Sequence, residues 1–319
     1  MRFVKWSLLA GLLVALVVEA VGRYYGLCSY PLYVHSEAYE YIHAPNQSLR
    51  IYRNRFVTNA FSMRSASIDP QRDTTVALLI GDSVINGGNQ TDQDSLASTL
   101  LERRLRDSLD QPLRVLNVSA GSWGPDNVAA YLTQHGLFDA DLMVLVVSSH
   151  DARDQMTFAP VVGVHPQYPA EQASLAWEKL LERLWQQLFP QSAYRAASTQ
   201  QRRAQQLGIS QVEGFNPGFA RLQALAEAAG IPLLIYLHAT RSELRQQQWQ
   251  AGGRNIRAFA QTQGLPLLDE LTLPMQAHYL RDDIHLNEAG QTFLADQLFR
   301  PMRAYLTSGQ APPADHAVP

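Results

Sequence analysis

A chain of 319 residues, 46% hydrophobic and 17% charged, has enough apolar content to bury a substantial core as one main domain with appendages. Its 26 lysines and arginines against 29 aspartates and glutamates leave a formal charge of −3, with both signs scattered along the chain. That excludes a broad basic face and argues against a nucleic-acid partner, while the single cysteine, Cys28, excludes an internal disulfide and any multi-cysteine metal cluster.

At the N-terminus Arg2 and Lys5 precede an apolar run, 6–22, broken only by Ser7 and Glu19 and followed by Arg23, Tyr24 and Tyr25. At about 1.5 Å per residue the run is near the lower limit for crossing a bilayer, and its Leu/Val-rich centre also has the form of a secretory h-region. No A-x-A pattern follows the run, and the tyrosine pair suits an interfacial belt, so residues 1–25 are expected to be an uncleaved membrane anchor. The cations before the run keep the N-terminus cytoplasmic and put the rest on the exported side, periplasmic or extracellular. Leu27 is too large for a lipoprotein cleavage site, which leaves Cys28 as a free thiol.

Residues 26–73 are aromatic and polar without sustained periodicity, contain Pro31 and Pro45, and read as an extended lead-in with short strands packed on the main domain. A regular alternation then runs through 74–307. Apolar runs at 76–80, 113–118, 142–147, 231–237 and 265–268 are separated by helical text, the first helix lying around Leu96, Leu100, Leu101 and Leu105. Strands apolar throughout belong to a parallel sheet covered on both faces, an α/β arrangement.

Within this domain residues 156–213 are too long for a plain connection and form an insertion. It holds a helix whose apolar face, Trp177, Leu180, Leu181, Leu184, Trp185 and Leu188, recurs at offsets of three and four. The face reads as a cap packed on the core; the alternative is a lid or a surface lying on a membrane. Arg195, Arg202 and Arg203 read as a solvated face, and 308–319, rich in proline and alanine, as a disordered tail.

Ligands of doubly wound sheets bind beyond the carboxyl ends of the strands, and there the polar clusters fall: Gly81-Asp82-Ser83, the stretch 117–124, Ser148-Ser149-His150-Asp151, and Asp282-Asp283-Ile284-His285 before the last helix. Acyl transfer needs a hydroxyl nucleophile, a base, an orienter for the base, and donors for the oxyanion. Ser83 leaves a buried strand for a helix start, a place that also suits a plain N-cap serine. In Asp282-x-x-His285 the spacing lets the carboxylate reach Nδ1 while Nε2 faces outward.

The ordered set of Gly81-Asp82-Ser83, Asn117-Val118-Ser119-Ala120-Gly121-Ser122-Trp123-Gly124, His150-Asp151 and Asp282-x-x-His285 resembles the SGNH/GDSL hydrolases over roughly residues 76–306. The resemblance implies a flavodoxin-like three-layer α/β/α sandwich with strand order 2-1-3-4-5 and metal-free hydrolysis or transfer of carboxylic esters. It implies Ser83 as nucleophile and backbone oxyanion donor, His285 as base, Asp282 as its orienter, and Gly121 as the second oxyanion donor, with Gly124 close in register. The third block departs from the family pattern, which has asparagine where this chain has His150. One imidazole N–H can replace the amide N–H, provided that the other ring nitrogen is fixed, as by a neighbouring carboxylate.

His43, His135, His165, His238 and His278 form no metal-ligand spacing such as H-E-x-x-H, and no metal is expected. Without a G-x-x-x-x-G-K-[ST] loop or a G-x-G-x-x-G after a strand, no nucleotide or other cofactor is expected either. The expected function is a serine esterase acting on carboxylic esters, acetyl esters among them, of an envelope or exported glycan or lipid. An O-acyltransferase of a surface polysaccharide using the same residues, and a non-catalytic binding module, are the alternatives.

Overall fold

The computed structural model describes residues 2–68, 74–188 and 214–308. Helix α1 (Arg2–Tyr24) is followed by two antiparallel hairpins, β1 (Tyr33–Ser36) with β2 (Glu40–His43) and β3 (Ser48–Ile51) with β4 (Asn54–Val57). Next come β5 (Thr75–Gly81), α2 (Ser83–Asn86), α3 (Ala97–Leu109), β6 (Leu113–Ser119), α4 (Pro125–His135) and β7 (Leu142–Ser148). They are followed by α5 (Ala176–Leu188), α6 (Gly218–Ala229), β8 (Leu233–His238), α7 (Arg241–Gln246), α8 (Ala251–Gln263), β9 (Leu267–Asp269) and α9 (Glu288–Ser308).

The five apolar runs form one sheet in the order β6-β5-β7-β8-β9, every pair parallel. Counted along the sheet strands this is 2-1-3-4-5, the α/β fold expected from the sequence. Every residue of β7 and β8 is buried, as helices on both faces of a parallel sheet require. Helix α3 packs with α9, and α4 with α6. Two strands start later than their apolar runs, because Gly230 and Gly264 end the preceding helices with φ near +68° and +67°. The N–H groups of Ile231 and Leu265 then return to the carbonyls of Ala226 and Ala260, so these residues close a helix before the strand begins.

The lead-in is tied to the domain by a buried charge. Arg64, with none of its surface exposed, donates from Nη1 to the carbonyls of Asn86 (2.7 Å) and Gly88 (2.5 Å) and from Nη2 to that of Thr91 (2.9 Å). Its guanidinium also lies 4.0 Å from the Phe56 ring centre. Burial pulls its pKa down to about 9, still cationic at neutral pH. These three carbonyls sit where the chain leaves α2, so Arg64 braces the turn that carries Ser83.

The insertion helix departs from the cap reading. Trp177, Leu181, Leu184 and Leu188 are 38, 55, 43 and 70% exposed, because α5 docks at its first turn on α1 and not on the sheet. Arg195, Arg202, Arg203 and the tail past 308 lie outside the described residues. Cys28 is a buried free thiol. Residues 3–24 are long and apolar enough to cross a membrane, with a mean hydropathy of 2.0 and an exposed surface except in the last turns that meet α5, a property a signal sequence shares.

Replacing Arg64 with methionine keeps its volume but strands three buried carbonyls. The expected cost is about 3 kcal/mol, a fall of roughly 6–12 °C in the thermal midpoint. A calorimetric midpoint within about 1 °C of the parent would refute the bracing role.

Candidate active site

The turn that carries Ser83 is built by three constraints. Gly81 ends β5 where a Cβ would come within 2.5 Å of the Val146 carbonyl oxygen, so no side chain fits between the two strands. Asp82 caps α2, its Oδ1 accepting the Val84 N–H at 2.8 Å. Gly87 closes the helix with φ +71°. Ser83 is thereby fixed at the first helical position, where its own N–H has no intrahelical acceptor. Beneath it the Asn117 side-chain amide donates to the Ile85 carbonyl (2.8 Å) and that of Asn86 to the Ser119 carbonyl (3.1 Å), which locks α2 to β6.

The histidine arrives from the other end of the domain. His285 Nε2 is 2.9 Å from Ser83 Oγ, and His285 Nδ1 is 2.8 Å from Asp282 Oδ2. Asp282 Oδ1 also accepts the backbone N–H groups of His285 (2.8 Å) and Ile284 (3.0 Å). Burial raises the Asp282 pKa, but these backbone donors and the ring outweigh it and hold the carboxyl down at about 2. Asp282 therefore stays ionised across the physiological range. Asp283, the other carboxylate of the motif, has a side chain 98% exposed and lies 4.0 Å from Arg241.

Two residues that the sequence reading left unassigned hold this loop. His238, at the end of β8, is buried and its Nε2 lies 2.7 Å from the Ile284 carbonyl, while its Nδ1 lies 2.8 Å from Glu270 Oε2. Glu270 in turn accepts from Tyr236 Oη and the Ala239 N–H. Arg241 donates from Nη2 to the carbonyls of Leu280 (3.1 Å) and Asp282 (2.8 Å). The sequence signal was the position of His238 after an apolar strand; grouped with scattered histidines, it carried no role.

On the oxyanion side, Gly124 is excluded as a free donor because its N–H is taken by Asn127 Oδ1 at 2.9 Å. Gly121 keeps a half-exposed loop position; its carbonyl accepts from Tyr41 Oη at 2.9 Å, and a Cβ there would meet only the Tyr33 hydroxyl, at 3.9 Å.

His150 turns Nε2 toward two buried carboxylates, 3.4 Å from Asp82 Oδ2 and 3.6 Å from Asp151 Oδ1. Neither oxygen has a hydrogen-bond partner of its own. Burial works against the imidazolium, but Asp151, Asp82 and Asp154 outweigh it and push the ring's pKa up to about 10. Burial likewise raises Asp151, and raises Asp154 to about 7. The carboxylate fixing one ring nitrogen was anticipated; the cationic ring, with an N–H on both nitrogens, was not. Nδ1 has no hydrogen-bond partner among the described residues, and the side chain is 31% exposed. Asp82, His150 and Asp151 are also the one group among the described residues whose ligand atoms lie close enough together for a metal ion. A proton on His150 satisfies the same oxygens.

Because His150 binds its proton more firmly folded than unfolded, its contribution to stability is largest below about pH 6.5 and is lost as pH rises toward 10. In 15N NMR, His150 is expected to keep imidazolium shifts through pH 8. A midpoint near 6.5 would contradict the clamp.

No family model matches the sequence, and no curated protein matches it. Solved structures do. A lipase/acylhydrolase from Enterococcus faecalis matches with a TM-score of 0.42 at 12% identity, over 72% of this chain and 96% of that one. A carbohydrate acetylesterase family member from Sinorhizobium meliloti matches with a TM-score of 0.41 at 14% identity, over 73% and 99%. The chain's own strand order, with the serine turn after the first sheet strand and the Asp282-x-x-His285 loop brought against it, is the α/β arrangement expected from the resemblance of its motifs to the SGNH/GDSL hydrolases.

Proposed function

We propose that this chain is a metal-independent serine esterase that forms an acyl-enzyme on Ser83 from carboxylic, including acetyl, esters of an exported or envelope glycan or lipid. The observation that carries the reading is the aligned relay of Ser83 Oγ, His285 and Asp282, with contacts of 2.9 and 2.8 Å. In the first step His285 Nε2 takes the Ser83 proton as Oγ attacks the ester carbonyl, and Asp282 stabilises the imidazolium that forms. The N–H groups of Ser83 and Gly121 and the Nδ1–H of His150 receive the oxyanion. His285 then returns the proton to the departing alcohol. Water, activated by the same ring, cleaves the acyl-enzyme; a sugar hydroxyl in its place would make the chain an O-acyltransferase.

A donor that is already charged gains strength where negative charge develops, which supports His150 over a bystander role. The apolar α1, with Arg2 and Lys5 in its first turns, supports a tether that holds the catalytic domain on the exported side of a membrane.

Turnover of an activated acetyl ester, with and without a glycan acceptor, tests the reading. Ser83→Ala and His285→Ala are each expected to lose about ten-thousandfold or more in kcat, with poor additivity, and Asp282→Ala somewhat less. His150→Ala is expected to lose about a hundredfold and His150→Asn to recover part of that. Turnover that needs the glycan would assign acyl transfer. Near-parental turnover by Ser83→Ala would refute the mechanism.

A further inference from the structure

Where α5 begins, it is fastened to the last turns of α1. The Glu19 carboxylate accepts the first-turn N–H groups of Ala176 (2.8 Å) and Trp177 (3.3 Å), occupying donors that a helix start leaves open. Arg23 holds Glu19 at 2.6 Å and donates to the Ser174 carbonyl at 2.6 Å. Gly22 lies so close that a Cβ on it would come 2.6 Å from that of Ala176. Two elements some 150 residues apart in sequence are thus joined at one level along α1.

That level is set by α1 itself. Its 22 apolar-rich residues, 3–24, span about 33 Å against roughly 30 Å of hydrocarbon. Centred on a bilayer, that length leaves Arg23, Tyr24 and Tyr25 at the headgroup boundary and Glu19, one turn before Arg23, about 6 Å deeper, just inside the acyl region. Helix α5 starts at that depth, and its exposed Trp177, Leu181, Leu184 and Leu188 follow one another at steps of four, three and four, a single helical face. Lys179 belongs to the opposite side of the wheel and Glu178 to the flank, about 90° from the centre of the apolar face. An amphipathic helix with a tryptophan at the start of its apolar face is suited to the boundary between headgroups and acyl chains.

We infer that α5 lies on the membrane surface through which α1 emerges, with the Trp177, Leu181, Leu184 and Leu188 face seated in the lipid. The inference rests on α1 being retained as an anchor. A second point of attachment 13 residues long turns a flexible tether into a fixed pose, holding the active-site rim at one orientation to the bilayer.

Full-length protein in phosphatidylcholine vesicles tests this. In a Cys28→Ser background, an environment-sensitive fluorophore is placed at Leu181→Cys or at Glu178→Cys, with and without lipids that carry a quencher at shallow acyl depth. Vesicle flotation reports the anchor separately. The expected result is flotation of both proteins, with the position-181 probe blue-shifted and quenched several-fold more than the position-178 probe. Flotation with equal, weak quenching at both positions would overturn the inference while leaving the anchor intact. A position-181 probe equally shielded in detergent-free protein without lipid would overturn it in favour of cover by the protein's own chain. Absence of flotation would remove the anchor and the inference with it. Leu181→Glu with Leu184→Glu is expected to float yet lose protection from protease along 176–188; unchanged protection would also count against the lipid contact.

Discussion

The contact between His285 Nε2 and Ser83 Oγ joins positions 202 residues apart, and much of the fold can be understood as what holds those two atoms 2.9 Å from each other. Neither residue is rigid by itself. Ser83 sits on a four-residue helix and His285 on a loop, so each takes its position from neighbours that carry more buried contact. On the serine side these are the Asp82 cap, the Asn117 and Asn86 amides and the Arg64 brace. On the histidine side they are His238, Arg241 and the first turn of α9. Gln291 closes the arrangement: from α9 its side chain donates to the Val84 carbonyl at 2.8 Å and accepts the Ala97 N–H at 2.9 Å. One buried amide thus fixes the last helix directly onto the nucleophile turn.

The second organising constraint is electrostatic. Placing Asp82 and Asp151 side by side in the interior is costly unless a positive charge accompanies them. His150 supplies it, and the cost of burying the two carboxylates becomes the reason that the ring stays charged. An asparagine at this position would offer a donor but no charge. His150 and the acidic residues around it are therefore one feature of the fold.

The sheet was legible because five apolar runs with polar stops leave little choice of architecture, and the relay was legible because Ser83 and Asp282-x-x-His285 fall at strand and helix ends in a recognisable order. What escaped was long-range pairing. Nothing local in the text around His238 or Glu270 says that they meet and brace residue 284, and nothing around Glu19 says that it caps a helix starting at 176. The helix face at 177–188 was read as core because an apolar stripe gives the same pattern whether it meets protein or lipid. Its burial depends on where the first turn is anchored, and Glu19 decides that from outside the domain. The raised pKa of His150 escaped for the same reason: it is set by the sum of its neighbours, and Asp151 and Asp154, one and four residues on, do not declare in the sequence that their oxygens turn inward.

The account's central claim is that Ser83 forms a covalent acyl-enzyme with His285 as its base. Peptide mass mapping after exposure to a fluorophosphonate ester addresses it directly. The account predicts a single phosphonylated peptide containing Ser83 in the parent, formed at least a hundredfold more slowly in His285→Ala. Labelling at another serine, or labelling of Ser83 at an unchanged rate without His285, would contradict it.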